Sequence, residues 1–349
     1  MPLTQSQKTI WERARSLGSG GQAIRLDDEA CTYLIARIAA DLGVIRELPE
    51  LPEDVADFYN SGELSDLRIA GLDALGLFQR LLEIDPNVDT YFACLASLHK
   101  ARLKYENILE TQPIPTLEQV GPRGLLQFGK MSSKGLAAFL FWRKWFFDID
   151  NRAGQETGYL FEPVIANAIG GTPVSAARSP VKRRSDSRKG RQVDCLLGKR
   201  AYELKIRMTI AASGQGRWGE ELDFPLDCVA SDYVPVLLVL DSTTNPKLTE
   251  LTKAFLAQGG EVYIGEDAWA HLDKLAGPTM ANFIDRYVRE PLASLLSDAS
   301  EALEPFAASF EGNELVIQVG DEAFKIQREQ GDEANDGRDR ADNDSDADL

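Results

Sequence analysis

Histidine and cysteine are scarce in this chain, two and four among 349 residues. His99 and His271 lie far apart, and Cys31, Cys94, Cys195 and Cys228 show no paired spacing. That argues against a zinc site and against a disulfide scaffold. Neither histidine has a nucleophile partner in sequence, so both read as structural or surface residues. Long hydrophobic runs are missing too. The best one, Leu136 to Phe147, is broken by Arg143 and Lys144 and falls short of the roughly 18–20 residues that span a bilayer. The N-terminus, MPLTQSQKTIWERAR, carries no apolar stretch of the signal-peptide kind, so a cytoplasmic protein without a membrane partner is expected. No G-x-S-x-G elbow, P-loop or dinucleotide fingerprint occurs. Gly18-Ser19-Gly20-Gly21 follows no buried strand and reads as a linker.

What is present is ordinary globular material. Hydrophobic residues make up 44% and charged residues 27%, and the length allows two domains or one large domain with additions. Net charge is −17, which taken whole argues against nucleic acid. The charge is unevenly spread, however. Thr172 to Trp218 holds 12 Lys/Arg and 3 Asp/Glu, a local +9, while Gly331 to Leu349 holds 8 acids and 2 arginines, a local −6. A basic island in an acidic chain is a polyanion signal, because binding follows the local field.

Along the chain, the first 120 residues read as helices. Leu26-Asp27-Asp28-Glu29 starts one, and Ser65 to Leu82 and Val88 to Leu109 are amphipathic, separated by the Asp85-Pro86-Asn87 turn. Gln112 to Pro122 reads as a linker. Gly124 to Phe147 reads as a helix pair with an aromatic core of Phe139, Phe141, Trp142, Trp145, Phe146 and Phe147, and Lys130, Lys134, Arg143 and Lys144 along an edge. Glu156 to Ile169 reads as a separate helix with an awkward Pro163 and a Gly170-Gly171 stop. Strands follow at Thr172 to Ala177, Gln192 to Leu197, Ala201 to Met208, Val234 to Leu240 and Glu261 to Ile264, with a helix at Lys247 to Ala257. VPVLLVL has the look of a central strand buried on both faces. Pro278 to Leu303 reads as helix and Asn313 to Ile326 as a hairpin. The last 19 residues read as a disordered acidic tail, either solubilising or mimicking DNA over the basic island.

The chemistry concentrates in Arg191 to Arg207. Asp194 lies in an apolar strand, VDCLL. Glu203 and Lys205 are two apart in the next strand, so they share one face while Tyr202, Leu204 and Ile206 line the other. Two carboxylates can hold Mg²⁺, which favours oxygen ligands and polarises a phosphate. The ammonium of Lys205 beside them can orient or help activate a metal-bound water and offset developing charge. Glu203-Leu204-Lys205 is the only acid-x-Lys triplet in the chain, where chance would give about 2. The plain alternative is a solvent-facing Glu/Lys arrangement on a strand edge. The catalytic reading requires that the turn between the two strands have even length, Lys199-Arg200 or Gly198 to Ala201, or that a bulge lie near Asp194. A three-residue turn would put Asp194 on the wrong face.

Val193-Asp194 … Glu203-Leu204-Lys205, inside this order of elements, resembles the PD-(D/E)XK nuclease superfamily over roughly Glu156 to Gly265. Val193 stands where that superfamily has proline. The resemblance implies that Asp194 and Glu203 are metal ligands together with the Leu204 carbonyl, that Lys205 is catalytic, and that the preceding helix adds one more acid, Glu162, with Glu156 in reserve. The helical additions suggest a type II restriction endonuclease, and Tyr159 to Asp241 looks like the ApaLI-like group. That would imply a short palindromic duplex site, a homodimer to match its two-fold symmetry, and a partner methyltransferase.

The basic loop from Arg178 to Arg191 carries 7 basic residues and one acid. Arg178, Lys182, Arg183, Arg184, Arg188, Lys189 and Arg191 are candidate DNA contacts, as are Arg207, Gln215 and Arg217 after the catalytic strand. Ser213 to Trp218 reads either as a flexible base-reading loop or as a plain turn, and Glu220, Glu221 and Asp223 as the edge of a DNA cleft. The expected architecture is an α/β restriction-endonuclease-like core with a mixed central sheet flanked by helices and a large helical N-terminal addition. Its expected parts are 1–120 (helical, for recognition or dimerisation), 121–275 (catalytic core), 276–330 (helices and hairpin) and 331–349 (tail). The expected function is Mg²⁺-dependent, site-specific DNA cleavage. The alternatives are a repair or junction-resolving nuclease on the same core, a catalytically silent DNA-binding protein, and a structural protein whose basic loop is only surface.

Overall fold

The computed structural model describes residues 2–17, 24–59, 62–206, 215–297 and 303–328. The N-terminal body is helical, as its periodicity predicts. Helix α1 (Gln5–Arg15) begins with a capping box in which the Thr4 hydroxyl accepts from the Gln7 N–H and Gln7 returns to the Thr4 N–H. Helix α2 (Asp28–Asp41) is capped by Asp27, inside the acidic start the sequence marks. Helix α3 (Ala74–Ile84) is shorter than expected. Gly71, at φ +80°, interrupts the chain, and Asp73 caps the helix three residues ahead of Gly76. Helix α4 (Val88–Thr111) matches its predicted span closely.

The middle of the chain departs from expectation. Gln112 to Pro122 is not all linker, because helix α5 (Leu117–Gly124) starts within it. Of the helix pair expected over Gly124 to Phe147, Gly124 ends α5, residues 125–132 are turns, and the rest is continuous with the separate helix expected after it as one helix, α6 (Ser133–Ala168), of 36 residues and about 54 Å. Pro163 removes one rung of its ladder, and Tyr159, whose carbonyl loses that partner, is exposed to water. The aromatic stretch is only partly core. Trp145 is fully buried, whereas Phe139 and Phe147 are exposed.

Five strands make the central sheet: β1 (Thr172–Val174), β4 (Val193–Leu197), β5 (Arg200–Lys205), β6 (Val234–Val239) and β7 (Glu261–Ile264), in the order β1-β4-β5-β6-β7. The β1, β4 and β5 neighbours are antiparallel, and β5, β6 and β7 are parallel. The sheet is therefore mixed, as expected. Tyr202, Leu204, Val236 and Leu238 turn one face onto α6 and onto α9 (Glu266–Ile284). Ala201, Leu237 and Val239 turn the other onto α7 (Gln215–Ala230) and α8 (Pro246–Ala257). Strand β6 is buried on both faces. Of the loop or turn expected from Ser213 to Trp218, Ser213 and Gly214 lie outside the described residues, and the part from Gln215 on is helix α7. Gly219 and Pro225 hide it in the sequence, while Phe224 and Cys228, four apart, anchor it to the sheet.

The basic loop also has structure. It folds into a small hairpin of β2 (Lys182–Arg183) and β3 (Asp186–Gly190). At the C-terminal side, α9 kinks at Gly277, passes through a π-helical turn at Asp285–Arg289, and continues as α10 (Glu290–Ser297). The expected hairpin is a three-stranded sheet of β8 (Phe306–Glu311), β9 (Glu314–Val319) and β10 (Glu322–Gln327). Its Leu315, Ile317 and Ile326 cover Trp145 of α6. Gly18 to Gly21, Arg207 and the acidic tail lie outside the described residues. All four cysteines are buried and free. Among the described residues, no helix is long and apolar enough to cross a membrane.

One buried ion ties the helical body together. The Asp41 carboxylate accepts from Arg37 Nη2 at 2.7 Å, from Tyr91 Oη at 3.0 Å and from Tyr287 Oη at 2.5 Å. It thereby joins α2, α4 and the π-helical turn, with its charge fully partnered. Asp41→Ala leaves Arg37 without its counter-ion, holding only the Val55 carbonyl, and strips both hydroxyls of their acceptor, and the expected cost is about 3–5 kcal/mol. Urea unfolding should show a lower midpoint at unchanged slope. An unshifted midpoint would refute this role.

Candidate active site

The register of the β4–β5 hairpin decides whether Asp194 and Glu203 can meet. The ladder pairs Cys195 with Tyr202, Leu196 with Ala201 and Leu197 with Arg200, leaving Gly198-Lys199 as a two-residue turn. Gly198 takes φ +59°, the left-handed conformation that tight hairpin turns need and glycine supplies without strain. The turn is even, as the catalytic reading requires, but it is neither of the two expected. Its register sets Asp194 opposite Glu203 rather than opposite Lys205. Strand β4 also slips by one residue against β1, where Thr172 faces Leu196 but Val174 faces Val193.

Beyond Cys195 the β4–β5 ladder ends. The backbone groups of Lys199 and Lys205 face β6, where their carbonyls accept from Val234 and Leu240, so by alternation those of Leu204 face β4. There the Leu204 N–H donates to Asp194 Oδ2 at 2.9 Å, a side chain in place of a strand. The Leu204 carbonyl shares that open edge. Lys205 Nζ lies 3.1 Å from Glu203 Oε1 on the same face and 3.6 Å from Glu221 Oε1 of α7. All three of these side chains are mostly buried.

Three carboxylates therefore share one field. Desolvation, together with Glu203 and Glu162, pushes Asp194 well above the usual carboxylate range, and the Leu204 N–H only partly opposes this. Burial and the Glu203 charge push Glu162, on α6, up to about 7, with Lys205 pulling the other way. Burial alone would depress Lys205, but Glu203, Glu221 and Asp194 overcome it and hold the ammonium more firmly protonated than usual. The other acid considered, Glu156, forms an ion pair with Lys104 of α4 at 3.0 Å. Among the described residues no three groups already converge as a metal cage. Mg²⁺ does not need one, since it keeps waters and commonly takes one or two carboxylates. The donors here are hard oxygens, and their mutual repulsion is what a divalent cation relieves, so the residues fit that ion.

The candidate DNA contacts separate into groups. Arg178, Arg184, Arg188 and Lys189 are exposed, and Lys182 and Arg183 are half-buried. Arg191 is buried: its Nη1 meets Asp227 Oδ2 of α7 at 2.8 Å, and its Nη2 donates to the Glu220 carbonyl. It anchors the root of the hairpin and does not face solvent. Asp227 also accepts from the Arg184 N–H, and Arg183 forms an ion pair with Glu220 at 2.9 Å. Arg188 bonds to Asp186 at the exposed tip. Between hairpin and helix lies an open cleft of about 560 Å³, lined by Arg183, Arg188, Lys189 and Glu220 among others. Arg207 is outside the described residues. Gln215 and Arg217 open α7, and their side chains are not described. Sequence reasoning set Glu220 and Glu221 only at a cleft edge and missed Asp227. The available signal was an acid one residue before Cys228, on a helix whose other inward residues are apolar.

A family model described as ApaLI-like restriction endonuclease matches residues 59–289. The chain is also 44% identical over 322 residues to the type II restriction enzyme ApaLI of Acetobacter pasteurianus, which covers 84% of this chain and 86% of that one. No solved structure matches it significantly.

The raised pKa of Glu162 has a consequence for stability. In the unfolded chain this carboxyl ionises near 4.5, and in the folded one near 7. Its contribution is fully present below the unfolded value and is lost as pH rises through the folded one. Thermal melts should therefore fall between about pH 4.5 and 7 in the wild type, and the fall should be shallower in Glu162→Gln. Parallel pH profiles for the two proteins would contradict the assignment.

Proposed function

The chain belongs to the ApaLI-like restriction endonuclease family, whose activity is site-specific cleavage of DNA, and from that premise we propose how its residues divide the work. The observation that carries the activity is the 44% identity along most of the chain to a type II restriction enzyme. The division of roles is supported by the meeting of Asp194, Glu203, Lys205 and Glu162 beside a basic hairpin. Asp194, Glu203 and the Leu204 carbonyl would hold Mg²⁺, which supplies Lewis-acid polarisation of the scissile phosphate. Lys205, held as an ammonium, orients the attacking water and offsets the charge that builds on the phosphate. Its raised pKa argues against its taking the water's proton. Glu162, the further carboxylate beside the site, takes that proton in this reading, and its burial, which raises its proton affinity, does not depend on the ion. Water adds to phosphorus as its proton passes to Glu162, the bond to the leaving sugar oxygen breaks, and that oxygen takes a proton from solvent water to leave as a hydroxyl.

Arg178, Lys182, Arg183, Arg184, Arg188 and Lys189 contact the duplex backbone and base edges in this reading, with Arg207, Gln215 and Arg217 beside the catalytic strand. Arg191 positions the hairpin. Residues 121–275 form the catalytic core, and 1–120 serve recognition or dimerisation. A homodimer on a short palindromic site matches two-fold protein to two-fold DNA. A cognate methyltransferase would protect the host's own DNA, and the enzyme would act in the cytoplasm.

Incubating a long unmethylated duplex with the protein should give discrete fragments with Mg²⁺ and intact DNA with EDTA. Asp194→Ala should lower the rate at least a hundredfold, about what removing one stabilising group in a phosphoryl or acyl transfer site costs. A metal-dependent smear would favour a repair or structure-selective nuclease, and intact DNA with every divalent ion would refute cleavage. Arg183→Ala with Arg184→Ala should weaken binding and reduce the slope of log affinity against log salt by about 2, one for each lost phosphate contact. An unchanged slope would return this part of the hairpin to solvent.

A further inference from the structure

Helix α7 presents two adjacent carboxylates to two different cations. Glu220 takes Arg183 of the basic hairpin in a two-pronged contact, Nη1 to Oε1 at 2.9 Å and Nη2 to Oε2 at 3.5 Å. This is how a guanidinium grips a phosphate. The pair lies on the wall of the 560 Å³ cleft, and its Glu220 side chain is about half exposed. Glu221 instead meets Lys205, its Oε1 3.6 Å from the Nζ that also bonds to Glu203 at 3.1 Å. The helix bearing both is fixed to the hairpin two turns apart. Arg191 bonds to the Glu220 carbonyl and to Asp227, and Asp227 also receives the Arg184 N–H.

We propose that Glu220 is an internal stand-in for phosphate, covering Arg183 until a DNA backbone displaces it, and that Glu221 is a positioning residue that aims the Lys205 ammonium. This rests on the nuclease reading above. Glu220 makes Arg183 compete for the duplex, so weak, non-specific contacts fail to displace it while a well-seated backbone succeeds. Glu221 gives Lys205 a second carboxylate besides Glu203, so its ammonium stays in place whichever group engages Glu203.

Binding in Ca²⁺ and single-turnover cleavage in Mg²⁺ test both roles, using a duplex that carries the site mapped for the wild type. Glu220→Gln should tighten binding several-fold, because an exposed ion pair adds little to folding and its removal frees Arg183. Asp223→Asn, the same charge change on an exposed side chain of the same helix, should tighten it less. Weaker or equal binding by Glu220→Gln, or an equal gain from Asp223→Asn, would overturn the stand-in. Glu221→Gln should slow single-turnover cleavage about tenfold or more at unchanged affinity, as expected when a catalytic group loses its aim. A wild-type cleavage rate in Glu221→Gln would overturn the positioning role. If the wild type itself leaves DNA uncut, the nuclease reading fails and takes the Glu221 role with it, while binding in Ca²⁺ to a long mixed-sequence duplex still decides Glu220.

Discussion

The site depends on a two-residue turn. Gly198 and Lys199 close the β4–β5 hairpin, and because side chains alternate along a strand, that length alone decides whether Asp194 shares a face with Glu203 or points into the core with Tyr202. One more residue in the turn would separate the two carboxylates by the thickness of the sheet. The positive φ of Gly198 makes the turn possible, and the slip of β4 against β1 lets the same strand leave its ladder at Asp194. Where the ladder ends, backbone and carboxylate oxygens come together at the end of β5. A strand paired along its whole length would bury those oxygens in hydrogen bonds.

The electrostatics follow from this placement. Burial first, and then the repulsion of carboxylates crowded together, raises the pKa values of Asp194 and Glu162. A single lysine among them moderates that repulsion without removing it. The rest of the molecule supplies the rigidity that such a site needs. Helix α6 runs unbroken from the aromatic cluster under the C-terminal sheet to Glu162, and the buried Asp41 network locks the helices that α6 and α9 pack against. Helix α7 faces both ways, joining Lys205 to the basic hairpin through neighbouring acids.

Much of this was legible in the sequence where pattern and chemistry coincide. The Asp27 cap, the buried run of β6, the strand carrying Glu203 and Lys205, and the need for an even turn all follow from local rules. Other features did not show because tertiary contacts override local signals. Pro163 was awkward inside a helix, yet packing of Val164 and Ile165 against the sheet carries α6 through it. Gly219 and Pro225 disguised α7, which Phe224 and Cys228 hold in place. The basic loop read as a row of equivalent cations. Their division into exposed residues, an Arg183 held by Glu220 and a buried Arg191 anchor depends on partners 29 to 37 residues away, which no local spacing reveals.

The claim at the centre is that this register builds one oxygen site for a divalent ion from both strands of the hairpin. Titration of the DNA-bound protein with Mn²⁺, followed by electron paramagnetic resonance, tests it most directly. The account predicts saturable Mn²⁺ binding in the wild type that is lost in Asp194→Asn and in Glu203→Gln, each with its fold intact by circular dichroism. Undiminished Mn²⁺ binding in either variant would mean that the two carboxylates do not form one site, and would contradict it.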